Sequence, residues 1–193
     1  MTDAELKARL MKSNASDSDE DLVQEPQEPI SPLLSSATNV MIAYQNANKW
    51  LDIIKEALLM DCGCTFFSNY IHNLAHSMPV RFDKFGDILH TMDMKVPYPA
   101  TEYIESEPTS IAEAFDSVFS ILLDISNALV EFIAAAESTD KAAAISAETL
   151  LAELANENTS LYRMRRAYLL CGDNIKFDKW CAQYINNLGT LID

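Results

Sequence analysis

Apolar residues from Ser36 onward recur at steps of three and four, the spacing that places them on one face of an α-helix. This pattern predicts a first helix from Ser36 to Met60, which a break at residues 61–64 (DCGC) ends. The expected core face of this helix comprises Val40, Ala43, Ala47, Trp50, Ile54, Ala57 and Leu58.

A second helical pattern covers residues 65–94, and a segment unsuited to helix follows it. Pro97, Pro99 and Pro108 fall in that segment. Because proline removes a backbone donor and restricts the residue before it, each of them interrupts a helix. The segment is too long for a tight hairpin, so we expect a long connection between the second and third helices.

The third and fourth helices are bounded by sequence signals at their ends. Ser110 and Glu113 have the S-x-x-E spacing of a capping box. Thr139 or Asp140 is positioned to cap the fourth helix, which is expected to run to Leu170, before Gly172. A short amphipathic helix at residues 176–188 completes the pattern. The core stripe predicted for the third helix comprises Ile111, Phe115, Val118, Leu122, Ile125, Leu129 and Ile133.

Four long helices with one long connection between the second and third are typical of ferritin-like bundles. The sequence therefore predicts an all-α fold for residues 36–193: a ferritin-like antiparallel four-helix bundle with a crossover between helices 2 and 3 and a short C-terminal helix. Residues 1–35 are acidic, rich in Ser and Pro and poor in aromatic residues, so they lack the apolar surface that would offset the entropy of ordering. We predict a disordered acidic tail there.

The composition narrows the classes of function. With 193 residues, 49% of them hydrophobic, the chain can bury one substantial core. A net charge of -15 opposes tight binding to nucleic-acid phosphates and attracts cations. The N-terminal residues contain no secretory apolar region, and no run of about 18 apolar residues occurs, so we expect no membrane span. The four cysteines, without an export signal, indicate reduced thiols in the cytoplasm.

All three histidines of the chain lie within residues 72–90, in the second predicted helix. At about 100° per residue, five potential metal ligands fall on one face of that helix. Imidazole and carboxylate are the usual ligands of Fe, Mn or Zn, and bundle metal sites are built from facing helices. The alternative is a solvated polar stripe opposite an apolar face. The five ligands are His72, His76, Asp83, Asp87 and His90, and the apolar face holds Phe67, Tyr70, Leu74, Phe85 and Leu89.

Other acidic and aromatic residues are also candidates for a role. Glu56 of the first helix is a candidate for the bundle interior, and Glu153 and Glu157 form an i, i+4 pair on the fourth helix that suits either a carboxylate site or a pair of surface acids. The aromatic residues after residue 176 indicate that the last helix packs onto the bundle or onto another subunit.

The helix layout and residues 82–99 (FDKFGDILHTMDMKVPYP) resemble the ferritin-like superfamily, and within it the Dps-type mini-ferritins. In that family an Asp and, four residues later, a Glu of the second helix bind iron between two subunits. Asp83 and Asp87 match those positions, Pro97 matches a proline after the helix, and His72 or His76 is the candidate histidine ligand. The chain departs from the family in lacking the His-Trp pair of the first helix and the E-x-x-H motif of bacterioferritins, so any metal centre is a variant.

The resemblance implies a function. Dps-type proteins form cytoplasmic shells, commonly of twelve subunits, that oxidise Fe(II) with peroxide or oxygen and store the ferric mineral; the expected cofactor is iron. DNA binding, which in this family uses a Lys-rich tail, is disfavoured by the acidic tail here. Two alternatives remain: a metal-free interaction or structural protein, and a manganese- or iron-dependent oxidase whose carboxylates would be Glu56, Glu153 and Glu157.

Overall fold

The computed structural model describes residues 31–98, 100 and 107–189, with side chains described through residue 185. Within these residues the chain forms five α-helices and no β-strand, so the predicted all-α class is confirmed. The helices are α1 (Pro32–Met60), α2 (Thr65–Thr91), α3 (Ile111–Ala136), α4 (Lys141–Cys171) and α5 (Asn174–Gly189).

Helix α1 begins four residues before the predicted start at Ser36. The Ser31 hydroxyl accepts a hydrogen bond of 3.2 Å from the backbone N–H of Leu34. Pro32 occupies the first turn, where its fixed φ suits a helix and its missing donor is not needed. Residues 32–35 are therefore helical and do not belong to the tail. Residues 1–30 of the predicted tail lie outside the described residues, and their disorder stays a prediction.

The predicted caps at the start of α3 and at both ends of α4 are confirmed. The Ser110 hydroxyl accepts a hydrogen bond of 3.2 Å from the N–H of Glu113. The Glu113 carboxylate accepts one of 2.8 Å from the N–H of Thr109, the residue before Ser110, whose own N–H is the donor in a capping box. Asp140 caps the start of α4, and Gly172 follows its last residue with a φ of 61°, the left-handed conformation that favours glycine.

Side-chain contacts fix the directions of the four long helices. In each of three neighbouring pairs of helices, two contacts can be compared. As the residue number rises along one helix, the number of the contacting residue in the other helix falls, so the two helices are antiparallel. Because α2 and α3 are both antiparallel to α4, they run in the same direction. The contacts are Ser68–Lys55 and His72–Asp52 (α2–α1), Tyr70–Glu157 and Arg81–Glu153 (α2–α4), and Phe115–Tyr168 and Phe119–Tyr162 (α3–α4).

Two helices that run in the same direction require a connection that joins opposite ends of the bundle. The first residues after α2 turn back along that helix: a Cβ added at Gly86 would lie 3.6 Å from Cγ2 of Val96, and the rings of Phe82 and Tyr98 lie 5.8 Å apart. This is the path that a crossover between helices 2 and 3 requires.

The core lies between the four long helices, and α5 closes one end of it. The ring of Phe177 in α5 is fully buried and packs against Phe67 and Tyr168, each at 5.3 Å. The predicted packing of the C-terminal helix onto the bundle is therefore observed. The observed core face of α1 is rotated relative to the predicted one. Tyr44, which was not assigned to the core face, is fully buried, while Trp50, which was, is only partly buried.

Helix α3 is the most apolar of the described helices. By length and composition alone, α3 could cross a membrane, although no such segment was expected from the sequence. Twelve of its 26 residues are buried within the bundle. The fold therefore uses the apolar face of α3 to build the core.

Candidate metal-binding positions and the polar centre of the bundle

A buried arginine lies between α2 and α4. Arg81 is only 6% exposed, and its guanidinium donates to Glu157 Oε1 at 3.1 Å, to Glu153 Oε2 at 3.4 Å and to the Ser77 hydroxyl at 2.7 Å. Lys84 adds a second cation, because its Nζ lies 2.8 Å from Glu153 Oε1. The two glutamates therefore bind cations of the chain itself.

The ionised form of Glu153 is favoured by these contacts. The hydrogen bond from Lys84 lowers the pKa of Glu153 below its usual range, although partial burial opposes this shift. The charge of Lys84 and the hydrogen bond and charge of Arg81 lower the pKa further. Glu157 accepts a further hydrogen bond of 3.1 Å from the hydroxyl of Tyr70. The result is a network of carboxylates, cations and a phenol across α2 and α4.

Tyr44 lies close enough to this network for the charges of Arg81 and Glu153 to affect its pKa. Burial raises the pKa of Tyr44 above its usual range, with the charge of Arg81 opposing that shift. Burial likewise raises the pKa of Tyr70. Among the described residues, the Tyr44 hydroxyl has no hydrogen-bond partner. Both phenols are therefore protonated, neutral groups.

The bundle interior does not offer the ligand set of a carboxylate di-metal centre. Such a centre takes a Glu from each of two helices and a Glu-x-x-His pair from each of the other two. Within the described residues, the buried polar or charged side chains are Ser36, Asn46, Ser68, Arg81 and Asp178. The permanently charged guanidinium of Arg81 thus lies beside Glu153 and Glu157, and the buried polar side chains of the described residues do not fit a di-metal centre.

The prediction that Glu56 faces the interior is wrong. Its side chain is 59% exposed and forms an ion pair with the neighbouring Lys55. Because Glu56 points to solvent and Glu153 and Glu157 bind Arg81, these three glutamates do not form the carboxylate set that an oxidase would need. The physical reason is the rotation of α1, which turns Tyr44 inward instead.

Two of the three histidines meet on the surface of the bundle. The Nε2 atoms of His72 and His76 lie 3.1 Å apart, with the ring planes at 89°. Nδ1 of His72 lies 3.2 Å from Oδ1 of Asp52 in α1. The side chains of His72 and Asp52 are 39% and 44% exposed, so the pair is open to solvent.

The predicted aspartates do not join this histidine pair. Asp83 follows His76 by seven residues, about 10 Å along the helix axis, and lines a groove of about 270 Å³ with Tyr44 and Lys49. Asp87 and His90 are exposed further along α2. Among the described residues, no group of three or more His, Cys, Asp or Glu side chains is arranged to hold one metal ion. Beyond the contact between His72 and His76, the predicted ligands thus do not form one cluster on α2.

Sequence reasoning missed two residues that organise the fold. The sequence pattern could have indicated a role for Arg81, because it lies among Met78, Phe82 and Phe85 on the apolar face of α2 and a buried charge on that face needs a partner. Asp178 had none: its carboxylate accepts hydrogen bonds from the backbone of α2, more than a hundred residues away in sequence.

Comparison with known proteins gives a match in structure and none in sequence. No protein-family model and no curated protein sequence matches this chain. BfrA from M. tuberculosis superposes with a TM-score of 0.65 at 14% identity, over 80% of this chain and 94% of that one. A mycobacterial bacterioferritin superposes with a TM-score of 0.66 at 14% identity, over 77% and 91%. The protein therefore has the fold of the ferritin-like superfamily.

Proposed function

We propose that this chain is an iron-binding subunit of a ferritin-like oligomeric shell whose bundle interior does not itself oxidise iron. The observation that carries this proposal is the position of Arg81, which, with Lys84, pairs with Glu153 and Glu157 between α2 and α4. The fold shared with bacterioferritins supports the shell. Iron must then be bound outside the bundle interior.

The surface of the chain has the charge that such binding needs. A net charge of -15 raises the local concentration of Fe(II). The exposed Asp83 and Asp87 stand one helical turn apart on α2, so their carboxylates repel one another unless a cation lies between them. Carboxylate oxygens are common ligands of iron, and in this proposal the oxidant, peroxide or oxygen, meets iron at such surface positions.

Assembly has support in the apolar groups that α4 and α5 leave exposed. Leu169, Leu170 and Ile175 are 73%, 79% and 65% exposed, and Tyr162 is 63% exposed. Clustered apolar surface of this kind commonly marks a contact with another chain. We expect a homo-oligomer, and twelve subunits if the Dps-type resemblance holds. The four cysteines, all within the described residues, carry free thiols, as expected of a cytoplasmic protein.

A second function is favoured by the same arginine. A bundle whose carboxylates are paired with its own cations, Arg81 and Lys84, needs no metal ion to fold. The chain would then be a ferritin-like interaction or structural protein that has lost its metal chemistry. The two functions differ in one property, the binding of iron.

Native mass and iron binding test the proposal together. The full chain is measured by light scattering, titrated with Fe(II) without oxygen, and then treated with peroxide. We expect an oligomer that binds Fe(II) and yields a soluble ferric mineral. Asp83→Asn with Asp87→Asn should lower Fe(II) binding, whereas Asp124→Asn with Glu131→Gln, which removes the same charge from α3, should not. A chain that binds no iron would favour the interaction protein, and a monomeric chain would overturn the shell.

A further inference from the structure

The histidine pair on α2 has the geometry of a metal chelate. Two imidazole nitrogens bound to one ion at about 2.0–2.1 Å each are roughly 2.8–3.4 Å apart, the shorter distance for octahedral and the longer for tetrahedral coordination. The observed separation of the His72 and His76 Nε2 atoms is 3.1 Å. Spacing of i and i+4 is also the spacing with which paired helical histidines bind zinc in H-E-x-x-H motifs. Little movement is therefore needed to place one ion between them.

Asp52 fixes the protonation of the pair. An ionised carboxylate can only accept hydrogen bonds, so its contact of 3.2 Å with Nδ1 of His72 requires the proton of that ring on Nδ1. In the neutral form of His72, Nε2 then carries a free lone pair, and in that form it accepts a hydrogen bond of 3.1 Å from Nε2–H of His76. A carboxylate that holds a ligating histidine in this way is the usual support of a protein metal site.

We propose that His72 and His76, oriented by Asp52, form a two-histidine site for a divalent ion such as Zn²⁺, Ni²⁺ or Cu²⁺. The ion binds the Nε2 lone pairs of both rings, and the Nε2 proton of neutral His76 is exchanged through solvent for one on Nδ1, so both rings stay neutral. Imidazole favours these ions over Fe(II), which lies lower in the affinity order of divalent metals. The site is therefore distinct from iron binding at Asp83 and Asp87.

The exposure of the histidine pair determines which groups complete the coordination of the ion. His76 is exposed, and the side chain of His72 is 39% exposed. The remaining coordination positions are open to water or to a group from another molecule. A two-histidine site of this kind is expected to bind more weakly than a closed four-ligand site, and to exchange its ion readily.

Zinc titration of the full chain tests the site. Zn²⁺ binding is measured by calorimetry, and thermal unfolding is measured with and without Zn²⁺. We expect one Zn²⁺ per chain at this site and a rise in melting temperature, both lost in His76→Gln. Asp52→Asn should weaken binding by about 10- to 100-fold while both histidines remain, as is typical when the carboxylate behind a ligand is removed.

The third histidine supplies the matched control. His90→Gln removes an exposed imidazole from the same helix and should leave Zn²⁺ binding unchanged. Binding that survives both His72→Gln and His76→Gln, or no binding by the full chain, would overturn the site. Loss of Zn²⁺ binding in the Asp83→Asn, Asp87→Asn variant would also overturn it, in favour of one shared cluster. None of these results depends on iron storage, which is measured separately with Fe(II).

Discussion

Oδ1 of Asp178 accepts a hydrogen bond of 2.8 Å from the backbone N–H of Phe66, although 112 positions separate the two residues in sequence. The same carboxylate accepts from the N–H groups of Thr65 and Phe67 at 3.1 and 3.0 Å. The local N-cap residue, Cys64, makes no side-chain capping bond. The first turn of α2 is therefore capped by the C-terminal helix.

Replacement of this carboxylate should destabilise the whole bundle. Asp178 is only 9% exposed, and Asp178→Ala leaves three N–H groups without their acceptor. We expect a loss of about 2 kcal/mol in the free energy of unfolding, at the upper end for a lost cap. Asp178→Asn, which keeps one acceptor oxygen, should lose less. Denaturant unfolding measures both, with the exposed Asp124→Ala as control; equal stability of all three variants would contradict the capping role.

A second prediction concerns the buried charge of Arg81. Arg81→Met removes the guanidinium and leaves Glu153 and Glu157 without their shared partner. Breaking a buried pair costs about 3–5 kcal/mol, and because the two glutamates are 35% and 29% exposed we expect about 2–3 kcal/mol here. Adding Glu153→Gln and Glu157→Gln to Arg81→Met should recover most of that loss.

The control for Arg81 is an arginine on the surface. Arg165 forms an ion pair of 2.8 Å with Asp116, and the two side chains are 39% and 64% exposed. Arg165→Met should change the free energy of unfolding by less than about 1 kcal/mol. A similar effect of both substitutions would show that the interior network has no special role.

The same network predicts a dependence of stability on acid. The pKa of Glu153 is lowered in the folded chain from its ordinary value of 4.5, first by the hydrogen bond from Lys84. A lowered folded pKa contributes stability that is present above 4.5 and is lost as the pH falls through the folded pKa. The free energy of unfolding should therefore fall more steeply below pH 4.5 in the wild type than in Glu153→Gln. Glu148→Gln, an exposed change on the same helix, should follow the wild type.

Truncation tests the boundary of the folded domain. Residues 1–30 lack the apolar surface that ordering requires, so a chain that begins at Ser31 should keep the helical signal and melting temperature of the full protein. A chain that begins at Ser36 loses the Ser31 cap and Leu33, which packs against the core, and should melt lower. A large drop for both truncations would show that residues 1–30 contribute to folding.

The C-terminal boundary has a different consequence. Since Phe177 and Cys181 are fully buried and Asp178 caps α2, truncation after Gly172 removes part of the core as well as any contact with another subunit. A change of oligomeric state in that truncation would therefore not identify an interface. Substitution of the exposed Leu170 by Lys is the better test of assembly, because it changes the surface alone.

The sequence by itself determined the number of helices in the described part of the chain, most of their extent and the local caps of α3 and α4. The three- and four-residue steps of Val40, Ile125 and their neighbours, the Asp140 cap and the Gly172 stop depend on residues within one or two helical turns. Local periodicity and capping act over that range, so a single sequence contains them.

Only the tertiary structure decided which polar groups meet. Arg81 with Glu157, Asp178 with Phe66 and His72 with Asp52 are pairs across helices. Which side chains face one another there depends on how far each helix is rotated and shifted when the core packs, and no local pattern specifies that. The His72–His76 pair, one turn apart on α2, is the part of the site that the sequence could predict; its separation from Asp83 and its support by Asp52 come from the packed bundle.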